Sequence, residues 1–269
     1  MSERKQNGCE SLKAAGLLLF MLAAPAWLAA EPAPAAMAGF DSYVERVERG
    51  LNAQHRSTEG FLAPMDFARL RRGELIVEQV TNGVGTELPG ALVHDWRGAA
   101  FVAGAKAADF ARLMEDFSVY PKVYAPQVLT ARVLSHDGDR FQVLMRVRQK
   151  HVLTVVMDTG YDVTFGRLDE AHGYSISRST QIAEIDSAGT RRERALGPGE
   201  EHGFLWRMNT YWSYEERDGG LYIEIESVSL SRSVPIGLGW AVGPFIESVP
   251  RDSVEFTLEA TRDALLKRH

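Results

Sequence analysis

Arg178 is the charged side chain in this sequence most in need of a chemical explanation. It alternates in register with Tyr174, Ile176, Thr180 and Ile182, the spacing of one face of a β-strand. With that face turned inward, a guanidinium stands in or beside an apolar interior, and a buried charge is costly unless paired. Glu226, Glu224 or Glu184 would pair with it, and so would the carboxylate or phosphate of a ligand. The alternative is an arginine at the rim of a sheet with its head in water. A second alternation sets Arg207, Asn209 and Tyr211 against Trp206, Met208, Thr210 and Trp212. One set faces inward, and the apolar set is the expected lining. Arg178, Glu226 and Tyr211 are the groups that would move protons if the chain were a cyclase- or dehydratase-type enzyme, since such catalysis needs a titratable group within hydrogen-bond reach of the ligand.

Other chemistry is sparse. The histidines (His55, His94, His136, His151, His172, His202 and His269) include no pair at i, i+2 or i, i+4, and there is no His-Glu-x-x-His. No metal and no cofactor is expected. There is no Gly-x-Ser-x-Gly and no phosphate loop, and Gly83-Val84-Gly85 is a short match at a turn. The single cysteine, Cys9, precedes an apolar N-terminal stretch. No catalytic residue is therefore assigned.

The elements that would position these groups end in a long hairpin and a helix. Phe204 to Tyr214 runs into Asp218-Gly219-Gly220, a turn that accepts positive φ, and Leu221 to Glu226 alternates apolar with polar. Val254, Leu258, Thr261 and Leu265 then recur at helical spacing, a stripe that needs an apolar surface, and the preceding sheet offers one. Upstream, Phe110, Leu113, Met114 and Phe117 predict an amphipathic helix ended by Tyr120-Pro121. Before it lie strands at Glu74–Val80 and Ala91–Ala103. After it come strands at 128–134, 141–147, 153–165 and 174–182, with a polar loop at 186–202. Residues 31–38 read as a Pro/Ala linker. Ser42 and Glu45 have capping-box spacing ahead of a helix to about Gln54, and a short helix is expected near 64–71. These helices would form either a docking arm or a layer packed on the outside of the main domain. The fold class is α+β: a curved antiparallel sheet of seven to eight strands closed by a long C-terminal helix, with an apolar cavity between them.

Local patterns carry the reading further. Asp116-Phe117-Ser118-Val119-Tyr120-Pro121 after the first helix, and Val234-Pro235 before Trp240 and the Ile246–Leu266 helix, resemble the START-like, or helix-grip, superfamily. That group spans START lipid-transfer domains, coenzyme-Q-binding proteins, pathogenesis-related plant proteins and polyketide cyclases. The resemblance covers about Ala91 to Lys267 and is greatest to exported bacterial members whose function is not settled. It implies an internal hydrophobic cavity and supplies no catalytic motif. With it, the expected ligand contacts are Met145, Val155, Met157 and Tyr161 on one strand pair, and Tyr174, Ile176 and Arg178 on the next strand. Trp206, Met208, Trp212 and Glu226 follow on the last hairpin, and Trp240 on a glycine-rich gate at 235–244. The expected function is binding or transfer of a hydrophobic small molecule (lipid, quinone or polyketide-like), with transient membrane contact; the alternative is an enzyme acting on such a ligand.

The chain of 269 residues is 45% hydrophobic and 25% charged, a globular composition, with a net charge of -6 that argues against a nucleic-acid partner. Arg4, Lys5 and Lys13 precede an apolar core at 14–24, followed by Leu28-Ala29-Ala30. This is the pattern of a secretory signal peptide over 1–30, ahead of a helical arm at 31–72 and a START-like domain at 73–269. The alternative is an uncleaved anchor, for which the core is short against the roughly 20 residues of a membrane span. The expected mature chain, periplasmic or secreted, begins near Glu31. N-terminal sequencing of the protein from its host checks this, and an intact Met1 in the membrane fraction overturns it.

Overall fold

The computed structural model describes residues 31–81, 85–150, 154–197, 199–233 and 239–267, with side chains of the last stretch from residue 248. It is an α+β fold built on one antiparallel sheet. Two helices come first, α1 (Pro34–Gln54) and α2 (Phe67–Arg71), then β1 (Ile76–Gln79), β2 (Thr86–Leu88) and β3 (Ala91–Ala103). α3 (Ala107–Glu115), a 3-10 turn (Phe117–Val119) and α4 (Tyr120–Val123) lead to β4 (Val128–Asp137), β5 (Arg140–Lys150), β6 (Thr154–Arg167) and β7 (His172–Asp186). β8 (Arg194–Ala195), β9 (Arg207–Arg217), β10 (Gly220–Arg232) and α5 (Gly239–Leu266) complete the chain. The path through the sheet is β1-β3-β10-β9-β7-β6-β5-β4, with β2 on β3 and β8 on β7.

The hairpin turn forms where its residues allow. Asp218 and Gly219 have φ of 56° and 76°, and Arg217 pairs with Gly220 across a two-residue loop. α5 lies on β3, β1 and β10 along the stripe its spacing requires, with Leu258, Thr261 and Leu265 fully buried and Val254 nearly so. Gly98 makes this approach possible: a Cβ there would stand 2.5 Å from Leu258 Cδ1 and 2.8 Å from Val254 Cγ1. Thr261 donates to Thr257 O at 2.7 Å and shares a hydrogen bond with Tyr124 Oη at 3.0 Å, so its buried hydroxyl is satisfied.

The other face of the sheet is also covered. Ala36, Phe40, Val44 and Leu51 of α1 pack on Ala91, Val93, Val228, Leu230 and Ile176. Phe61, Leu62 and Leu70, from the loop after α1 and from α2, pack on Ala99 and Tyr222. The arm is thus a layer over the sheet. α1 begins at Pro34, inside the stretch read as linker, because proline suits the first turn and the alanines after it are strong helix formers. α5 likewise starts at Gly239, earlier than Ile246, so the second half of the expected gate has helical backbone. The gate's first part, 235–238, and the side chain of Trp240 lie outside the described residues.

Gly98→Ala should cost about 1–3 kcal/mol by overpacking, and Leu258→Ala roughly 2–5 kcal/mol by opening a cavity. In the double variant the alanine at 98 faces emptied space, so the combined loss should fall short of the sum. Denaturant melts of the three variants check this, and strict additivity would show that the two positions do not touch.

Candidate functional site

Residues paired directly across an antiparallel sheet share a face. From Trp96, which packs with α5's Leu258, the register runs Trp96↔Ser227, Ser227↔Thr210, Thr210↔Ser177 and Ser177↔Val163. All five therefore point to the α5 side. Between a tryptophan and a valine, three consecutive strands contribute only short hydroxylated side chains. The adjacent rows add Ser175, opposite Trp212, and Ser229, opposite Met208. Ser175, Ser179, Ser227 and Ser229 are buried. Large residues stand on either side of this strip. One wall is Trp96, Phe110, Trp212, Tyr214 and Ile225, and the other is Phe117, Phe141, Val143, Tyr161 and Val163. A strip of small side chains between two apolar walls would suit an internal groove on this side of the sheet. Its hydroxyls offer hydrogen bonds that the walls do not.

The structure divides the expected contacts into two groups. Met145, Val155, Met157, Tyr161, Met208 and Trp212 share the α5 side with the strip, by the registers Val143↔Tyr161, Met145↔Thr159 and Met208↔Ser229. Tyr174, Ile176, Arg178, Trp206 and Glu226 belong to the opposite face, under α1. Arg178 is neither a cavity charge nor a free rim residue. It forms a bidentate pair with Glu48 of α1, at 2.6 and 2.8 Å, and Glu48 also accepts from Tyr211 Oη at 3.2 Å. The shared face of Tyr174 through Ile182 does not hold either. A bulge opposite the Gly160/Tyr161 step inserts a residue into β7, so Ile182 pairs with Thr159 and turns to the α5 side while Arg178 does not. The proton-handling set of Arg178, Glu226 and Tyr211 is thus separated by the sheet from the groove.

The serine strip is not legible from alternation, because a strand's apolar set marks the interior only where its other face is solvated. With helices over both faces, the apolar set of β7 (Tyr174, Ile176) marks the α1 interface. The interleaved Ser175-x-Ser177-x-Ser179 marks the groove. The available signal was the α1 stripe itself, which demanded an apolar face of its own.

The α1 face carries unusual charge. Arg97 Nη2 lies 2.6 Å from Glu226 Oε2, and its Nε lies 3.8 Å from Glu224 Oε1. Glu224 also accepts from Ala63 N at 2.8 Å. Burial pushes Glu224 up to about 7 against the pull of Arg97 and that backbone donor. His55, stacked on Tyr174 at 4.3 Å and bonded to Ser213 Oγ at 2.8 Å, is held down to about 4 by burial. Among the described residues no group of three or more His, Cys, Asp or Glu is arranged to hold a metal ion. No described helix is long and apolar enough to cross a membrane.

No family model and no curated protein matches the chain. Among solved structures it is similar to a fragment of the STAR-related lipid transfer protein from Xanthomonas axonopodis, with 15% identity over 70% of this chain and 98% of that one and a TM-score of 0.44. It is similar to the Zhui aromatase/cyclase from Streptomyces sp. R1128, with 14% identity over 65% and 95% and a TM-score of 0.45. The human StarD13 lipid transfer and protein localization domain shares 8% identity over 70% and 89%, with a TM-score of 0.42. The α+β architecture expected from the sequence, an antiparallel sheet with a long C-terminal helix laid on it, is the one observed.

The raised Glu224 carboxyl has a definite consequence for stability. The folded protein binds its proton more tightly than the unfolded chain does. This contribution is therefore complete below the ordinary carboxylate pKa of about 4.5 and lost as pH rises to about 7. His55 acts in the opposite sense between about 4 and 6.5, where the unfolded chain binds the extra proton. Glu224→Gln should remove the falling component, and its melting temperature should gain on the wild type as pH rises from 5 to 7.5. Parallel profiles for the two proteins would refute the assignment.

Proposed function

We propose that the groove between the sheet and α5 holds a hydrophobic small molecule, such as a lipid, a quinone or a polyketide-like compound. We further propose that the chain is an exported carrier for it, in transient contact with membranes when loading or unloading. The observation that carries the reading is the strip of Ser177, Thr210 and Ser227 between the Trp96/Trp212 and Tyr161/Val163 walls. A core built for stability alone would fill three central positions with large apolar side chains, since interiors pack to crystal-like density. Short hydroxylated residues there leave room, and the apolar walls favour a ligand that is mostly hydrocarbon with one or two polar atoms. The basic start and apolar core at 1–24 support export, and the acidic remainder of the chain suits release from anionic lipid. The cyclase or dehydratase alternative loses its named proton donors and acceptors to the α1 side of the sheet.

Filling the strip tests the carrier reading. Native mass spectrometry of protein purified from its host should reveal a bound hydrophobic compound, and a fluorescent fatty acid or quinone analogue should compete for its place. Ser177→Phe should weaken that probe by about tenfold or more, as a side chain of this size takes the ligand's volume, while Thr180→Phe, at the exposed bulge, should not. Equal probe affinity in the two variants would sink the groove assignment.

A further inference from the structure

The α1 side of the sheet carries a second concavity, separated from the groove by the sheet itself. It is a cleft of about 310 Å³ whose floor is Asp95, Arg97 and Glu226 and whose walls include Tyr43, Val47 and Leu51 of α1. Asp95 and Arg97 sit two residues apart on the same face of β3, and Glu226 faces Arg97 from β10. The pairings within the floor are unequal. Arg97 is engaged by Glu226 through Nε and Nη2, at 3.1 and 2.6 Å, and lies within 3.8 Å of both Glu224 and Glu78. Among the described residues Asp95 forms no salt bridge. Its Oδ2 accepts from Tyr43 Oη at 2.8 Å, and its Oδ1, in a buried side chain, has no hydrogen-bond donor among the described residues. A buried carboxylate oxygen without a donor is a costly arrangement that native folds seldom keep without a use.

We propose that this cleft is a binding site for the ammonium group of a small amine, with Asp95 Oδ1 as the acceptor and Val47 and Leu51 against the hydrocarbon part. The chemistry of the floor selects the charge. Asp95 and Glu226, as carboxylates, oppose the single guanidinium of Arg97 on the floor, which leaves the floor anionic on balance. Arg46 belongs to the wall, where it is exposed, stacked 5.1 Å over the Tyr43 ring and donating to Ser42 O. An ammonium brings both the missing hydrogen bond and the missing charge, whereas a neutral alcohol brings only the first. A carboxylate on the same ligand would face Glu226, so a simple monoamine fits better than an amino acid. Gly50 lies on the cleft wall in α1, and a Cβ built there meets nothing within 4 Å, so a larger side chain has room there.

Protonation follows from the same geometry. The ionisable groups around Asp95 are Tyr43 and Arg46 from α1, Arg97 on its own strand, Glu224 and Glu226 from β10, and Glu78 from β1. Burial first and the charge of Glu226 second push the Asp95 carboxyl up, and Arg97 and the Tyr43 hydroxyl pull it down by less. An arriving ammonium favours the carboxylate, so binding near neutral pH displaces a proton from Asp95.

The test is calorimetric titration of the whole chain with n-butylamine and 2-phenylethylamine, with n-butanol as the neutral control. The amines should bind and the alcohol should not, and the apparent heat should change between buffers of different ionisation enthalpy as the proton is released. Asp95→Asn keeps the shape and removes the charge, and it should weaken amine binding by about tenfold or more. Gly50→Phe, whose ring would project into the cleft from an exposed helix position, should abolish amine binding while leaving the melting temperature unchanged or higher. Uptake of a fluorescent fatty acid by the groove should be the same in both variants, so failure here is distinguishable from failure of the carrier reading. Amines that bind no better than butanol, or that bind Gly50→Phe as they bind the wild type, would overturn the proposal.

Discussion

The antiparallel pairing of β3 with β10 runs without a break from Gly220↔Ala103 to Arg232↔Ala91, and the rest of the fold is arranged around it. Every residue of β10 from Gly220 to Leu230 is buried. A strand in that condition needs cover on both faces, because half of its side chains point each way. α5 supplies one cover and α1 with α2 the other. The two layers are chemically unlike. The α5 side meets Leu221, Ile223 and Ile225, then gives way to serine at 227 and 229. The α1 side meets Tyr222, then two glutamates, then Val228 and Leu230. Each layer therefore has an apolar part that anchors a helix and a polar part beside it.

That division explains where charge is tolerated. Glu224 and Glu226 are nearly fully buried, an arrangement that in isolation would cost several kcal/mol per ion. Arg97 and the backbone donor of Ala63 offset part of this, and protonation of Glu224 offsets more. The half-exposed pair of Arg178 with Glu48 is different in kind. It sits nearer water, is bidentate, and serves mainly to fix the rotation of α1 over β7 and β9. Tyr211 joins it through Glu48, and Tyr43 makes the matching contact to Asp95 farther along the sheet.

Much of this was legible in the sequence, and what was not has a physical cause. The helical stripes of α3 and α5, the Asp218-Gly219 turn and the order of strands follow from periodicity, because each buries one face against one neighbour. β7 defeats the same logic. Its Tyr174 and Ile176 and its Ser175, Ser177 and Ser179 are both inside, so polarity does not separate buried from exposed. The bulge at 180 then shifts the phase between Arg178 and Ile182, which no alternation could foresee. Asp95 was invisible for another reason: in Leu92 to Arg97 it reads as an ordinary polar strand residue, and only the arrival of α1 from some fifty residues upstream makes it buried.

The strand order has a consequence for how the chain comes together. β10 is the last strand to be synthesised, yet it lies between β3 and β9, so the early strands β1 to β3 have no central neighbour until residue 232 has emerged. α1, made first of the described elements, waits longest, since its floor is completed by Val228 and Leu230. Contacts this distant in sequence carry a large loop-closure cost and slow folding. A nascent chain of this design therefore stays open, its α1 stripe unpaired, through most of its synthesis. The floor under the first helix is complete only once β10 is in place.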